Sequence, residues 1–500
     1  MNTAGTNPPA ETWFGHPKGL FTAFMTEMWE RFSYYGIRAL LMLFMTAAIV
    51  DGGLELSAIE AGAIYGLYTG AVYLLALWGG WVADRLLGQQ SSIFWGGLVI
   101  AAGNFSLAVP LTEFFYLGLA LIAVGTGLLK PNVSTIVGEL YVNDSGARRD
   151  AGFSIFYMGI NIGALIAPLI TGWVAAEFGY RAAFAVAGVA IALGTFQFKF
   201  TSRYLGEAGL HPTTAPGPER DRVRKAFWIS AVIVTLIGML MLFGVIPVNA
   251  EQLADITGNA IVIMAVAFFI YVLLLGGLNR EEKKRVGVIA VFFVAAAVFF
   301  SGFEQAGSSL NLFARDYTDR SFLGSFFSSG EHPAAWYQSI NPIMIIVLSP
   351  MFAWLWVWLA KRNLEPSAPG KFALGLVQMG LGFGVIAFAA KLAIDQTVAP
   401  SWLLLTYLLH TTAELCLSPI GLSNITKLAP RRFVGMMMGT WFMGVSLGNL
   451  IAGRFGGEVG AADPASMSEK FMSVMWWGVV AGIIMLALTP WLKKMTGDAR

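Results

Sequence analysis

In the stretch Glu27-Met-Trp-Glu30-Arg31-Phe-Ser-Tyr34-Tyr35-Gly-Ile-Arg38, carboxylates, guanidinium groups and phenols recur at helical spacing. At about 100° per residue they share one helical face roughly 140° wide. The opposite face, with Phe24, Met28, Phe32 and Leu40, suits lipid or other helices. Four ionisable side chains in one membrane helix are costly unless they pair or line a wet cavity. One reading is a charged collar at the membrane edge. Apolar residues continue on both sides of the cluster, which favours the other reading, a polar seam facing a central pathway.

Further polar residues interrupt apolar runs. Lys130 lies in Gly125-Thr-Gly-Leu-Leu-Lys130-Pro131-Asn132. It can snorkel to the interface or face the carboxylates of the first helix, since an unpaired buried cation is expensive. Tyr157 and Asn161 share a face at i,i+4 and can orient a ligand or join helices. Glu304-Gln305 interrupts Val291–Leu312. Gln338 and Asn341, at i,i+3, precede Pro342, where a helix can open its backbone. Glu414 sits inside Leu403–Ile420, with His410 a turn earlier on the same face. His410 can titrate or simply pack. Trp441 reads as packing by default. The N-terminal half thus supplies Arg38 and Lys130, and the C-terminal half Glu304 and Glu414. A zwitterion fits that polarity, carboxylate toward Arg38 and Lys130, ammonium toward Glu414. Buried carboxylates with raised pKa can also carry protons. Charge placement alone does not choose a peptide over another zwitterion.

The elements that must hold these residues are membrane helices. The 500 residues are 56% hydrophobic and 12% charged, with a mean hydropathy of +0.66. Repeated apolar runs of about 20 residues indicate an all-α polytopic membrane protein. Spans are expected at 19–48, 57–83, 91–110, 113–140, 150–176, 181–200, 226–248, 258–278, 286–313, 335–360, 372–393, 400–428, 432–457 and 470–492, about fourteen by length. The polar stretch 201–225 reads as a linker. The two spans within 226–278 lack ionisable side chains. They read as a peripheral hairpin inserted between two six-helix bundles, 19–200 and 286–492, as in transporters built from related halves. Arg and Lys alternate from loop to loop: Arg148 and Arg149, Lys283 to Arg285, and Lys361 and Arg362 mark one side, and the intervening loops carry mostly acids. Both termini, 1–18 and 493–500, are therefore expected in the cytoplasm.

Several classes are disfavoured. A net charge of +2 and the lack of a basic tail give no sign of nucleic-acid binding. Cys416 is the single cysteine, so no internal disulfide can form. The N-terminal residues lack the basic and short apolar regions of a cleaved signal peptide. HExxH and Cys/His ligand spacings are missing, which argues against an embedded enzyme.

Seven ordered motifs resemble the proton-dependent oligopeptide transporters of the major facilitator superfamily. Glu27-Met-Trp-Glu30-Arg31-Phe32 is similar to that family's ExxERF motif, and Gly79-Gly80-Trp-Val-Ala-Asp84-Arg85-Leu-Leu-Gly88 to its loop signature. Phe153-Ser-Ile-Phe156-Tyr157-Met-Gly-Ile-Asn161-Ile-Gly163, Phe303-Glu304-Gln305, Trp336-Tyr-Gln338-Ser-Ile-Asn341-Pro342, Glu414-Leu-Cys-Leu-Ser418-Pro419 and Gly439-Thr-Trp441 follow in order. The resemblance implies a major facilitator fold and proton–peptide symport without a cofactor, by a monomer in the bacterial inner membrane. Glu27, Glu30, Arg31, Lys130 and Glu304 would couple protons. Arg38 and Lys130 would meet the peptide carboxylate, and Asn161, Asn341 and Glu414 its amino end. Tyr34, Tyr35, Tyr73, Tyr157, Gln338, Ser418 and Trp441 would line the pocket. Asp84 and Arg85 would be structural or gating residues. Phe299-Phe300 stands where the family usually has Phe-Trp, and Ala413 where it usually has Gly. The first would alter a pocket wall; the second adds a methyl at a helix contact. The closest alternative is a proton-coupled carrier of nitrate or another small anionic or zwitterionic solute on the same fold; an anion would not need Glu414.

Overall fold

The computed structural model describes residues 12–142, 144–213, 217–242 and 244–496. Most of the expected N-terminal tail, part of the 201–225 linker and the last residues of the C-terminal tail lie outside the described residues. The chain begins with a hairpin, β1 (Thr12–Trp13) against β2 (His16–Pro17). Phe14 and Gly15 both take positive φ, the geometry of a two-residue turn that matches strand twist.

Helices follow: α1 (Gly19–Thr46), α2 (Ala58–Val82), α3 (Gln89–Ala108), α4 (Thr112–Glu139), α5 (Gly146–Phe178), α6 (Tyr180–Thr201), α7 (Pro218–Leu242) and α8 (Ala250–Leu275). Then come α9 (Arg280–Phe303), α10 (Ser309–Asp316), α11 (Ile340–Ala360), α12 (Ala368–Leu392), α13 (Ser401–Leu428), α14 (Val434–Gly460) and α15 (Pro464–Thr496). Among the described residues, 13 helices are long and apolar enough to cross a membrane. α1, at 28 residues, is as long, but Glu27, Glu30, Arg31 and Arg38 lower its hydropathy. The fold is all-α and polytopic.

Three expected boundaries are corrected. The span at 286–313 is not one helix: a tight turn, Glu304–Gly307, separates α9 from α10, and Ser308 (φ −116°, ψ −96°) leaves helical geometry. Buried polar groups stabilise the break, with the Ser309 hydroxyl donating to Gln305 Oε1 at 2.9 Å. The span at 335–360 opens as a 3₁₀ turn, Ala334–Ser339, before α11. The linker ends earlier than 225, because Pro218 opens α7; its fixed φ and missing N–H suit the first turn of a helix.

By contact, the chain forms two compact units: residues 1–36, 75–167 and 184–247, and residues 37–74, 168–183 and 248–500. In the first unit, small residues bring helix backbones together. A Cβ on Gly79 of α2 would lie 1.9 Å from the carbonyl oxygen of Gly127 on α4, a contact only glycine permits. α7 joins this unit through Phe227, stacked on Trp78 with ring centres 5.9 Å apart, and through Arg220, which donates to the Leu86 carbonyl at 3.0 Å. The rest of α7 is largely exposed apolar surface, including Trp228, Ile229 and Val234. In the second unit, α2 meets α14 at Gly62 and Gly453, where a Cβ on either would sit 2.4 Å from the other's carbonyl oxygen. The second half of α1 joins it through Asn311, which donates to the Ala39 carbonyl at 2.7 Å.

Candidate functional site

In the first unit the polar face of α1 is buried. Glu27, Glu30 and Arg31 are each at most 3% exposed. Arg31 pairs with Glu27 at 3.2 Å and with Glu30. One guanidinium thus serves two carboxylates, and the three side chains form an ion-paired cluster. Buried charges persist when paired and hydrogen-bonded. The Arg31 guanidinium also lies over the Tyr34 ring at 5.2 Å, and Tyr34 packs edge-on to Tyr35 at 5.2 Å. Lys130 of α4 lies close enough to act on the charge of Glu27. α5 is drawn onto α1 by glycine: a Cβ on Gly163 would sit 2.4 Å from the Met28 carbonyl oxygen. On the same helix the Asn161 amide donates to the Tyr157 carbonyl at 3.0 Å. Asn161 is buried, and Tyr157 is exposed.

The second unit holds another set. Arg38 and Glu304 are both buried and pair at 2.9 Å. The Arg38 Nε–H donates to the Tyr65 hydroxyl at 3.0 Å, and that hydroxyl donates to the Glu304 carbonyl at 3.3 Å. Glu304 caps α9 with helical dihedrals, at the start of the turn Glu304–Gly307. Asn341 donates from Nδ2 to Glu414 Oε2 and to the Thr411 hydroxyl, each at 3.0 Å. Arg38 and Glu304 both lie near enough to Glu414 to influence its charge. Gln338 donates to the Ala306 carbonyl, tying the start of α11 to the same turn. Trp441 is buried between Phe300 and Phe372, with ring centres 6.2 and 6.3 Å away. Phe300, one of the two departures noted in the sequence, therefore forms part of the Trp441 wall. Tyr73 on α2 and Ser418 on α13 are half-buried.

Asp84 lies in the turn Ala83–Leu87 with Arg85. It accepts from Gln89 at 2.9 Å, and its carbonyl accepts from Thr213. His410 is buried against Phe383, ring centres 4.9 Å apart, a packing environment. Tyr65 and Thr411 were not singled out in the sequence. A phenol or hydroxyl in an apolar run carries no signal of its own, and their partners lie far along the chain. Among the described residues, no group of His, Cys, Asp or Glu could hold a metal ion.

A helical membrane protein with buried ion pairs, carboxylates and amides on several helices has the design of a solute transporter. The POT family model matches residues 90–457. The peptide transporter YePEPT of Yersinia enterocolitica subsp. palearctica is 42% identical over 514 residues, covering 100% of this chain and 99% of that one. A di-/tripeptide transporter of Lactococcus lactis subsp. lactis is 35% identical over 506 residues, 99% of each. A crystal structure of a peptide transporter POT in complex with sulfate superposes with a TM-score of 0.88 at 38% identity, covering 97% of each chain. A POT family transporter in complex with 5-aminolevulinic acid gives 0.88 at 29% identity, covering 97% of this chain and 98% of that one. The chain belongs to the POT family, a family of transporters rather than enzymes.

Proposed function

We propose that this protein imports di- and tripeptides together with protons, by alternating access, across a bacterial inner membrane with both termini in the cytoplasm. The observation that carries the reading is the pairing of opposite charges in two buried sets, Glu27, Glu30 and Arg31 in one and Arg38 and Glu304 in the other. A proton or a substrate charge can replace a partner in such a pair. The relatives named as peptide transporters match along the full chain, and a neighbour binds the zwitterion 5-aminolevulinic acid.

In this reading Glu27, Glu30, Arg31, Lys130 and Glu304 exchange partners as protons enter and leave. Arg38 and Lys130 receive the peptide carboxylate. Glu414, oriented by Asn341, receives the ammonium group together with Asn161. Tyr34, Tyr35, Tyr73, Tyr157, Gln338, Ser418 and Trp441 line the pocket, and Asp84 and Arg85 serve as structural or gating residues. Two six-helix bundles, 19–200 and 286–492, rock about the site. The helices of 226–278 form a hairpin in lipid, for which the apolar surface of α7 is suited. The protein acts as a monomer. Each charge carried across 100 mV contributes about 2.3 kcal/mol, so a proton can drive concentrative uptake. The test is uptake into liposomes with and without an inward proton gradient, competed by peptides and by free amino acids.

A further inference from the structure

The connection between α10 and α11 holds a histidine that the ion pairs do not use. His332 is 8% exposed. Its backbone N–H donates to the Arg320 carbonyl at 3.0 Å, and its Nδ1 lies 2.7 Å from the same oxygen. A carbonyl only accepts, so Nδ1 carries the hydrogen. In the neutral ring Nε2 is then an acceptor, 3.3 Å from the buried Tyr337 hydroxyl, which must donate. Arg320 completes the clasp: it donates to the His332 carbonyl at 2.8 Å and to the Arg315 carbonyl at 3.2 Å, and it pairs with Glu331.

Tyr337 belongs to the 3₁₀ turn Ala334–Ser339, and its neighbours are tied down on either side. Trp336 Nε1 donates to the Leu169 carbonyl at 3.0 Å. Gln338 reaches the Ala306 carbonyl in the turn that carries Glu304, and Asn341, one turn further, holds Glu414. One short turn therefore connects the His332 clasp to both polar clusters of this unit.

We propose that His332 is a positioning residue for transport: its neutral Nδ1–H form seats Tyr337 and so fixes Gln338 and Asn341, and protonation of Nε2 releases that turn. Protonation removes the acceptor for the Tyr337 hydroxyl, which must then rotate to accept from the imidazolium. The charged and titratable groups around the ring are Arg320, Glu331, Asp319 and Tyr337. Burial holds the His332 pKa below its usual 6.5; the Arg320 charge adds to this, while the hydrogen bond to the Arg320 carbonyl, Glu331 and Asp319 oppose it. The clasp thus stays closed in mild acid, where an inward proton gradient operates, and opens in stronger acid. This rests on the reading of Asn341 and Glu414 as peptide ligands.

The test is counterflow of labelled dialanine in liposomes at equal pH on both faces, from pH 8 to 4.5, for wild type, Tyr337→Phe and His332→Gln. Equal pH removes the driving force and leaves the site. Wild-type exchange should fall in the acid range with a rising KM, approaching tenfold per pH unit below the titration midpoint of the ring. Tyr337→Phe lacks the hydroxyl that protonation disturbs. It should show a raised KM already at pH 8 and a flattened acid limb, and His332→Gln should do the same. Acid limbs that coincide in wild type and either folded variant, judged by size-exclusion profile, would overturn the role of His332 while leaving peptide binding intact. Wild-type protein without counterflow at any pH would remove the peptide reading, and this inference with it.

Discussion

Replacing Glu414 by glutamine removes a charge and keeps the shape. The Asn341 amide that donates to Glu414 Oε2 at 3.0 Å can donate equally to a glutamine oxygen, so α11 and α13 keep their contact. What is lost is the charge that would meet a peptide ammonium. A hydrogen bond to a charged group contributes about 1.5–3 kcal/mol, and about 1.36 kcal/mol is a factor of ten. Glu414→Gln should therefore weaken dialanine by roughly tenfold to a hundredfold. N-acetyl-dialanine has no ammonium group and should lose little. The assay is competition: the concentration of each peptide that halves uptake of a labelled dipeptide, in wild-type and variant liposomes. Equal losses for the two peptides would refute the amine contact. The loss would then report on packing of α13 or on the Asn341 and Thr411 interactions.

Three more outcomes follow from the same geometry. Glu304→Ala leaves Arg38 buried beside Tyr65 without its carboxylate and should cost about 3–5 kcal/mol; thermal unfolding in detergent should show a lowered midpoint, substantially restored by a second change, Arg38→Met. Glu27→Gln and Lys130→Ala should abolish proton-driven accumulation while leaving measurable counterflow, and full accumulation in both would remove them from the coupling core. Gly79→Val places a side chain where a Cβ already meets the Gly127 carbonyl oxygen at 1.9 Å; overpacking of about 1–3 kcal/mol or more should appear as lost yield of folded protein, whereas Gly217→Val, at a position with open space around it, should not.

Much of this arrangement was legible in the sequence because membrane burial makes charge conspicuous. Glu27, Glu30 and Arg31 stood out on a single helical face, and they do pair. Asn341 and Glu414 could each be named from their place in an apolar run, but their hydrogen bond joins two helices and has no local trace. Tyr65 was invisible for a related reason: its partners, Arg38 and Glu304, are 27 and 239 residues away. The run of apolar residues from Val291 to Leu312 concealed the break at Glu304. Hydropathy records whether a segment is buried, and it does not record whether the backbone turns there. The break is legible only afterwards, from the cluster Glu304, Gln305, Ser308 and Ser309: Glu304 pairs with Arg38, Ser309 donates to Gln305, and Ser308 donates to the distant Ala452 carbonyl. His332 likewise lay in a loop whose order depends on Arg320 and Tyr337.

The most direct measurement is uptake of labelled dialanine into liposomes containing the purified protein, with and without an inward proton gradient. Uptake should rise above equilibrium only with the gradient, and di- and tripeptides should compete where free amino acids do not. Folded protein that moves no peptide under either condition, but moves nitrate or another small anion, would contradict the account.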